Sequence, residues 1–385
     1  MNKPPTNRKW GCRQVVGAVV GCFGVLFAIL FVVAWRLSFP VYPPFLERVA
    51  LDSDGKRIAI SFYDNRAGGR VALETLRFTE ADAIIERRQT AEEANGKVRG
   101  ISRDGDLLVA GGARPDAYYS GKRLLNPNIA GEYLVGEAML TSEPTQRIVA
   151  WSDNHLELFS MVGPTLEWAL PLAEDRGIAA VNWAGNPLRI VVLTRDRGER
   201  PKRGPPQAVV KDVAEKESSV KSCQVETWEI GSTTPVDTWV LPRNIRWSEY
   251  VAVSPAGGSV VSLKNQEKDH VTLLRKAFPD VVKTFSDAQS ADFTPQDDYP
   301  LVFLDEKTTL FTDATGSVML LDTSTAKLRR IDRSGRPCDR LAVTPDGSLI
   351  ALGIRLEPTL ELWRYDGNDC HPWLKLNIET GKVVK

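Results

Sequence analysis

Two apolar runs flank a Pro-Asp-Gly turn in Leu341–Leu352 (LAVTPDGSLIAL), and a third, Leu360–Asp366 (LELWRYD), follows shortly after. Glycine readily adopts the positive φ that a tight turn requires. The alternation of apolar and polar residues is typical of strands that are buried on one side. The segment therefore predicts three short antiparallel strands, the first two joined by a tight turn.

The same pattern recurs along the chain. Seven copies align on their turns, which lie at 52–55, 103–105, 143–145, 184–185, 255–257, 305–307 and 345–347. Measured between the last residues of successive turns, the spacings are 50, 40, 40, 72, 50 and 40 residues. Repeats of this length, each too small to bury a core alone, are typical of a β-propeller. The sequence therefore predicts an all-β, seven-bladed β-propeller, and the uneven spacing leaves six or eight blades open.

Further strands follow each turn. Second strands are predicted to start near residues 58, 107, 147, 189, 259, 309 and 349, and third strands near 71, 156, 225, 271, 318 and 360. The second copy shows no evident third strand. Because blades pack face to face, we expect Val225, Trp228, Leu362 and Trp363 to lie in the core.

Two features make residues 46–385 resemble the WD40 repeats and related bacterial propeller repeats. One is the turn at 344–347 (TPDG), and the other is the pair of Trp-containing strands that begin at Val225 and Leu360. The resemblance implies a propeller fold and a role as an interaction platform, while some such propellers are enzymes.

The chain also departs from the WD40 pattern. No Gly-His pair opens the repeats, and Trp228 and Trp363 are followed by Glu229 and Arg364 instead of aspartate. The hydrogen-bond network of the best-known WD repeats is therefore not expected here.

Residues 15–35 contain no charged side chain and are long enough to span a bilayer as a helix. Four basic residues precede them, at positions 3, 8, 9 and 13, so the positive-inside rule puts the N-terminus in the cytoplasm. The sequence predicts a cytoplasmic tail at 1–14, a transmembrane helix at 15–35, a proline-containing spacer at 36–45 and an extracytoplasmic propeller at 46–385. The absence of Asn-x-Ser/Thr favours a bacterial inner membrane over a eukaryotic secretory route.

Three other interpretations of the N-terminal segment stay open. In the first, the segment is a cleaved signal peptide, although its apolar run is longer than usual for one. Alternatively, Cys22 is lipidated, although apolar residues follow it. Gly17 and Gly21 form a GxxxG pattern that lets two helices pack closely, which predicts a possible homodimer.

The longest spacing contains an insertion at 195–222 in the fourth repeat. If its strands run as in WD40 proteins, this insertion projects from the top face of the blade. Its first ten residues carry five basic and two acidic side chains, which makes Arg197, Arg200, Lys202 and Arg203 candidate binding residues. The alternative is a solvated loop without a partner.

No motif indicates a catalytic residue, a metal site or a cofactor. The three histidines, His155, His270 and His371, lie in different repeats, and the five cysteines have neither metal-ligand spacing nor the density of a disulfide framework. Lys plus Arg and Asp plus Glu both number 49, and this zero net charge disfavours nucleic acid as a partner.

The sequence favours a membrane-anchored interaction platform for a protein or cell-envelope partner. The alternative is a propeller enzyme of the hydrolase, lactonase or lyase type with its site in the central channel, and a transmembrane sensor is a third possibility. Converging carboxylates in the channel would favour the enzyme, whereas an apolar or evenly charged channel would favour the platform.

Overall fold

A computed structural model divides the chain into two units, residues 1–43 and 44–385. It describes residues 45–64, 70–79, 83–89, 97–110, 117–119, 122–125, 137–141, 147–152, 155–160, 165–173, 175–185, 187–196, 223–242, 245, 249–264, 270–285, 301–312, 316–331, 338, 340–353, 357, 359–378, 380 and 382–384. The predicted transmembrane helix, with Gly17 and Gly21, lies outside these ranges. Within them, no helix is long and apolar enough to cross a membrane.

The described strands form seven antiparallel sheets, numbered here in chain order. Sheet 1 contains β1 (Phe45–Leu51), β2 (Arg57–Asp64), β3 (Arg70–Phe78) and β4 (Ala83–Gln89). Sheet 2 contains β5 (Lys97–Ile101), β6 (Leu107–Ala110), β7 (Ala117–Tyr119) and β8 (Lys122–Leu125). Sheet 3 contains β9 (Glu137–Leu140), β10 (Arg147–Ser152), β11 (His155–Ser160) and β12 (Leu166–Ala169).

Sheets 4 to 7 follow the same order. Sheet 4 contains β13 (Arg176–Ala184), β14 (Arg189–Asp196), β15 (Gln224–Glu229) and β16 (Asp237–Val240). Sheet 5 contains β17 (Glu249–Val253), β18 (Ser259–Lys264), β19 (His270–Arg275) and β20 (Phe278–Phe285). Sheet 6 contains β21 (Leu301–Phe303), β22 (Thr308–Thr312), β23 (Val318–Asp322) and β24 (Lys327–Arg330). Sheet 7 contains β25 (Arg340–Val343), β26 (Leu349–Gly353), β27 (Thr359–Tyr365), β28 (Cys370–Asn377) and β29 (Lys382–Val384).

This architecture confirms the prediction of an all-β propeller. Each of the seven predicted turns falls between the first and second strands of one sheet, and the predicted second and third strands coincide with observed ones. The sequence pattern did not reveal the fourth strands, the short β7 of sheet 2, or β29, which adds a fifth strand to sheet 7.

A polar side chain just before the turn caps most of these turns. Asp52 Oδ1 accepts hydrogen bonds from the backbone N–H of Lys56 (2.7 Å) and Arg57 (3.0 Å). At the equivalent positions a side-chain hydroxyl accepts one 3.0 Å hydrogen bond from a backbone N–H at or just before the start of the second strand. These hydroxyls belong to Ser102, Thr141, Ser254 and Thr344. Burial raises the pKa of Asp52, although its two backbone donors oppose the shift. These caps satisfy backbone groups that water cannot reach.

Most of the described turns also pack against the preceding sheet. A Cβ on Gly347 of sheet 7 would lie 1.8 Å from the carbonyl oxygen of Leu304 in sheet 6. The Glu306 carboxylate of sheet 6 accepts hydrogen bonds from Ser254 Oγ (2.7 Å) and Ala256 N (2.6 Å) of sheet 5. Successive sheets are therefore neighbours in space as well as in sequence.

The first and last sheets make the same kind of contact. A Cβ on Gly55 of sheet 1 would lie 3.1 Å from Leu349 of sheet 7, and Arg340 Nε of sheet 7 donates a 3.2 Å bond to the Leu46 carbonyl of sheet 1. Their apolar faces share one buried cluster, in which Ile58, Ile60, Leu360 and Leu362 are fully buried. Since β1 and β29 pair only within their own sheets, side-chain packing closes the ring.

The four core residues named from the sequence were predicted correctly. Val225, Trp228, Leu362 and Trp363 are each at most 5% exposed. Val225 packs toward sheet 5 and Trp228 toward sheet 3, as expected for residues an odd number of positions apart on a strand.

The two Trp-containing strands share the same local hydrogen bond. The indole N–H of Trp228 donates to Glu226 Oε2 (3.1 Å), and that of Trp363 donates to Glu361 Oε2 (3.3 Å). In both strands the acceptor therefore lies two residues before the tryptophan.

We expect Gly347→Ala to destabilise the propeller by about 4 kcal/mol or more, because the new methyl group collides with the Leu304 backbone as well as imposing a positive φ on alanine. Gly231→Ala is the matched control, since Gly231 has φ +85 and nothing within 4 Å of the point that a Cβ would occupy. That control should lose only about 1–2 kcal/mol. Thermal and urea unfolding followed by circular dichroism would measure both, and equal losses would contradict the proposed turn-to-sheet packing.

Candidate functional site

The first strands of all seven sheets line one central cavity of about 530 Å³. Residues of β1, β5, β9, β13, β17, β21 and β25 form its wall, together with Trp151 of β10. A cavity of this size matches those that bind small ligands in other proteins. Its position on the axis makes it the candidate functional site.

Contacts between neighbouring sheets indicate that the first strands run in the same direction around the cavity. Arg340, at the start of β25, bonds Leu46 near the start of β1, and Lys97, at the start of β5, forms an ion pair with Glu47 of β1. Asn182 Nδ2, near the end of β13, donates to the Val253 carbonyl at the end of β17 (2.8 Å). We call the face where first strands begin the upper face, and the face that carries the first-to-second strand turns the lower face.

Charge is concentrated on one side of the cavity. Among the lining residues that the structure describes, the charged ones are Arg48, Arg99 and Arg340. They lie on β1, β5 and β25, which belong to three consecutive sheets of the ring. Arg340 is only 9% exposed, and the other two are half-buried. Each of the three is the cavity-lining residue nearest the upper end of its strand.

Backbone irregularities accompany two of these arginines. The register of β1 against β2 shifts between Leu46 and Arg48, and that of β5 against β6 shifts between Val98 and Gly100. A bulge adds one residue to a strand and redirects the side chains beside it. Arg99 is itself the extra residue in β5, and Arg48 follows the extra residue in β1.

Two carboxylates on the same sheets are held by basic side chains. Glu47 pairs with Lys97 across sheets 1 and 2, and Glu74 Oε1 lies 2.6 Å from Arg88 Nε. Burial raises the pKa of Glu74, while the charge and hydrogen bond of Arg88 oppose that shift. Neither glutamate is among the lining residues of the cavity.

The opposite side of the cavity is apolar and aromatic. Met139, Trp151 and Tyr250, from sheets 3 and 5, line its upper part, and Trp183 and Phe303 line the wall nearer the lower face. The described wall thus combines cationic side chains on sheets 7, 1 and 2 with aromatic side chains on sheets 3 to 6. Such a pairing suits a ligand that has one anionic and one apolar part.

The candidate binding residues named from the sequence, Arg197, Arg200, Lys202 and Arg203, lie outside the described residues, as do Gly17 and Gly21. The connection that contains the four basic residues runs from β14 to β15, which are the second and third strands of sheet 4.

Two of the three histidines named from the sequence have structural partners. His155 lies 2.9 Å from Glu157 in sheet 3, and His371 lies 3.1 Å from Asp366 in sheet 7. The Asp366 carboxylate accepts two backbone N–H bonds as well as the His371 contact, which lowers its pKa to about 2. Asp366 therefore caps the turn at 366–369.

Metal and thiol chemistry are not indicated in the described part of the chain. It contains no group of three or more His, Cys, Asp or Glu side chains placed to hold a metal ion. Cys223, Cys338 and Cys370 are buried and carry free thiols. Burial, reinforced by the nearby Asp369 carboxylate, raises the pKa of Cys370 to about 12, which keeps its thiol protonated.

The cavity arginines were missed from the sequence, although a signal was present. Arg48, Tyr250 and Arg340 each stand four residues before the polar residue that caps the following turn. Aligning the repeats on their caps, instead of on their glycines, would have placed these three side chains at one level of the ring. The bulge in sheet 2 obscures the pattern for Arg99, which stands three residues before its cap.

Comparison with known proteins adds weak structural similarities. No protein-family model and no curated protein matches the chain. A chain of Kuenenia stuttgartiensis hydrazine synthase is 13% identical over 85% of this chain and 97% of its own, with a TM-score of 0.49. A chain of the mitotic checkpoint complex is 12% identical (85% and 89% covered, TM-score 0.48), and the Dos1 propeller is 9% identical (82% and 90% covered, TM-score 0.47). At these values the similarities carry no inference about function.

We expect Arg340→Gln to lower the stability of the propeller by about 1–3 kcal/mol, because it removes the charged donor that bonds the Leu46 carbonyl across the first and last sheets. Arg77→Gln is the control, since the Arg77 side chain is 58% exposed and lies 3.9 Å from its partner Glu86. Thermal unfolding would compare the two variants with the unaltered protein. An Arg340 variant as stable as the control would show that this bond does not contribute to closure.

Proposed function

We propose that this protein is a membrane-tethered interaction platform, in which a seven-bladed β-propeller presents its upper face to a protein or cell-envelope partner outside the cytoplasm. The number of blades is supported by the seven sheets, each of which contributes its first strand to the cavity wall. The coarser conclusion, a propeller of the kind that serves as a platform or as an enzyme scaffold, follows from the fold itself.

The observation that carries the platform proposal is the positive charge at the upper face. In an antiparallel sheet the second strand ends beside the start of the first, as in the pairing of Asp196 with Arg176 in sheet 4. The connection that contains the basic insertion therefore starts at the upper face, and Arg48, Arg99 and Arg340 are the lining residues nearest that face on their strands. Clustered positive charge on a neutral chain steers acidic partners toward that face.

The membrane tether is supported by the sequence pattern of the N-terminal segment. In this proposal residues 1–14 are cytoplasmic, residues 15–35 span a bacterial inner membrane, residues 36–45 form the spacer, and the propeller is extracytoplasmic. The pair Gly17 and Gly21 supplies a surface through which two tethers would dimerise.

The enzyme alternative receives less support. A hydrolase or lyase of the carboxylate type requires acidic side chains that converge in the channel. The charged residues among the described lining are instead the three arginines, which bind anions and do not act as general bases.

Membrane insertion is tested by placing charges in the apolar segment. Leu26→Arg combined with Leu30→Arg should release the protein from membranes during alkaline carbonate extraction, because each arginine near the centre of a spanning helix costs about 2.5–3.5 kcal/mol. Leu166→Arg is the control, since Leu166 is 53% exposed on the propeller.

In spheroplasts, added protease should degrade the propeller of the unaltered protein. Carbonate extraction of the unaltered protein, or full protection of its propeller, would contradict the tether or its orientation.

Partner binding is tested by charge reversal in the insertion. Arg200→Glu, Lys202→Glu and Arg203→Glu together should reduce, by about tenfold or more, the recovery of a crosslinked partner from native membranes, because attraction to acidic groups becomes repulsion. Lys327→Glu is the control, since Lys327 is exposed on the outermost strand of sheet 6. Quantitative mass spectrometry would compare the three samples. Equal recovery from both variants, or no specific partner from the unaltered protein, would overturn the platform proposal.

A further inference from the structure

The three cavity arginines share a chemistry that the platform proposal does not use. Arg48, Arg99 and Arg340 come from three consecutive sheets and line one concave space. Like charges that converge in a cavity with low-dielectric walls focus the electric field and raise the local concentration of counter-ions. The cavity therefore attracts anions small enough to enter it.

Guanidinium groups specify which anions are preferred. Each has five N–H donors in a planar fork and keeps its positive charge when one donor bonds to the protein, as Arg340 Nε does to the Leu46 carbonyl. The fork matches the paired oxygens of a carboxylate or a phosphate better than it matches a halide. Arginines on neighbouring strands would hold one such group from more than one side.

The facing wall adds a second requirement. Trp151 and Tyr250 line the cavity from sheets 3 and 5, with Met139 beside them. Aromatic walls bury a flat apolar group by stacking and edge contacts, while charged groups on the other side fix its orientation. A volume of about 530 Å³ admits a ligand of metabolite size.

We propose that the upper part of the central cavity is a binding site for a small organic oxyanion, a carboxylate or phosphate ester that carries an aromatic or other apolar group, with Arg48, Arg99 and Arg340 as its cationic ligands. This site goes beyond the proposed platform function, because it requires neither the basic insertion nor a protein partner. The two would coexist on one face, with the small ligand inside the ring and the partner outside it.

Isothermal titration calorimetry of the purified full-length chain in detergent tests the proposal with simple probes. Phenyl phosphate should bind saturably at low ionic strength, and more tightly than either inorganic phosphate or phenol, because only phenyl phosphate engages both walls. Arg48→Gln and Arg99→Gln should each weaken its binding by about 10- to 100-fold, the effect of losing a charge-assisted hydrogen bond. Arg48→Lys should fall between Arg48→Gln and the unaltered protein, because lysine retains the charge but not the fork.

Control experiments separate this site from general electrostatic attraction. Arg77→Gln removes an exposed arginine from sheet 1 and should leave the affinity for phenyl phosphate unchanged. If Arg77→Gln weakened phenyl phosphate binding as much as Arg48→Gln does, the proposal would be overturned. Far-UV circular dichroism checks that each variant is folded. The unaltered protein tests the proposal even if a variant unfolds, because the absence of saturable phenyl phosphate binding at millimolar concentration would refute it.

A further experiment distinguishes binding of a small ligand in the cavity from binding of the acidic side chains of a protein partner. A hexaglutamate peptide presents the same carboxylate chemistry on a polypeptide. If the peptide binds through Arg48 and Arg99 while phenyl phosphate does not, the small-ligand site is refuted and the cavity belongs to the partner-binding face. If phenyl phosphate binds in an insertion variant that has lost its partner, the cavity site stands independently of the platform function.

Discussion

The structure depends on one packing contact that recurs between neighbouring sheets, the docking of a first turn on the preceding sheet. Gly347 of sheet 7 lies against the Leu304 backbone of sheet 6, and Gly55 of sheet 1 lies in the same way against Leu349 of sheet 7. A four-stranded sheet cannot bury both of its apolar faces by itself, so each must be covered by a neighbour on either side. This requirement leads to a closed ring, and the absence of a strand shared between sheets 1 and 7 leaves closure to side-chain packing and to the bond from Arg340.

Closure also creates the site. When the sheets surround an axis, their first strands face one another across a cavity, and residues far apart in sequence become neighbours. Arg340 and Leu46 are separated by most of the chain, yet they share a hydrogen bond. A residue that helps to close the ring therefore also contributes charge to the cavity, so stability and ligand binding are coupled at this position.

The repeat pattern predicted much of the fold because the responsible forces are local. The turn glycines, the polar caps such as Thr344 and the alternation within strands act over a few residues, and all of them are visible in the chain. The fourth strands were missed because an outer edge strand has little apolar burial to impose a pattern on it, as the mostly exposed β12 and β16 illustrate. Trp228 was predicted to be buried from its strand position, but its bond to Glu226 required the structure.

The sequence by itself determined the all-β repeat, the position of its turns and the identity of its core residues, because backbone conformation and side-chain burial depend on neighbours within one strand or turn. It also supplied the apolar N-terminal segment and the basic insertion as candidate functional features. Only the tertiary structure brought Arg48, Arg99 and Arg340 together opposite Trp151 and Tyr250. That arrangement depends on the order and direction of the sheets around an axis, and on bulges that shift the register. The residue spacing within any one repeat therefore does not reveal it.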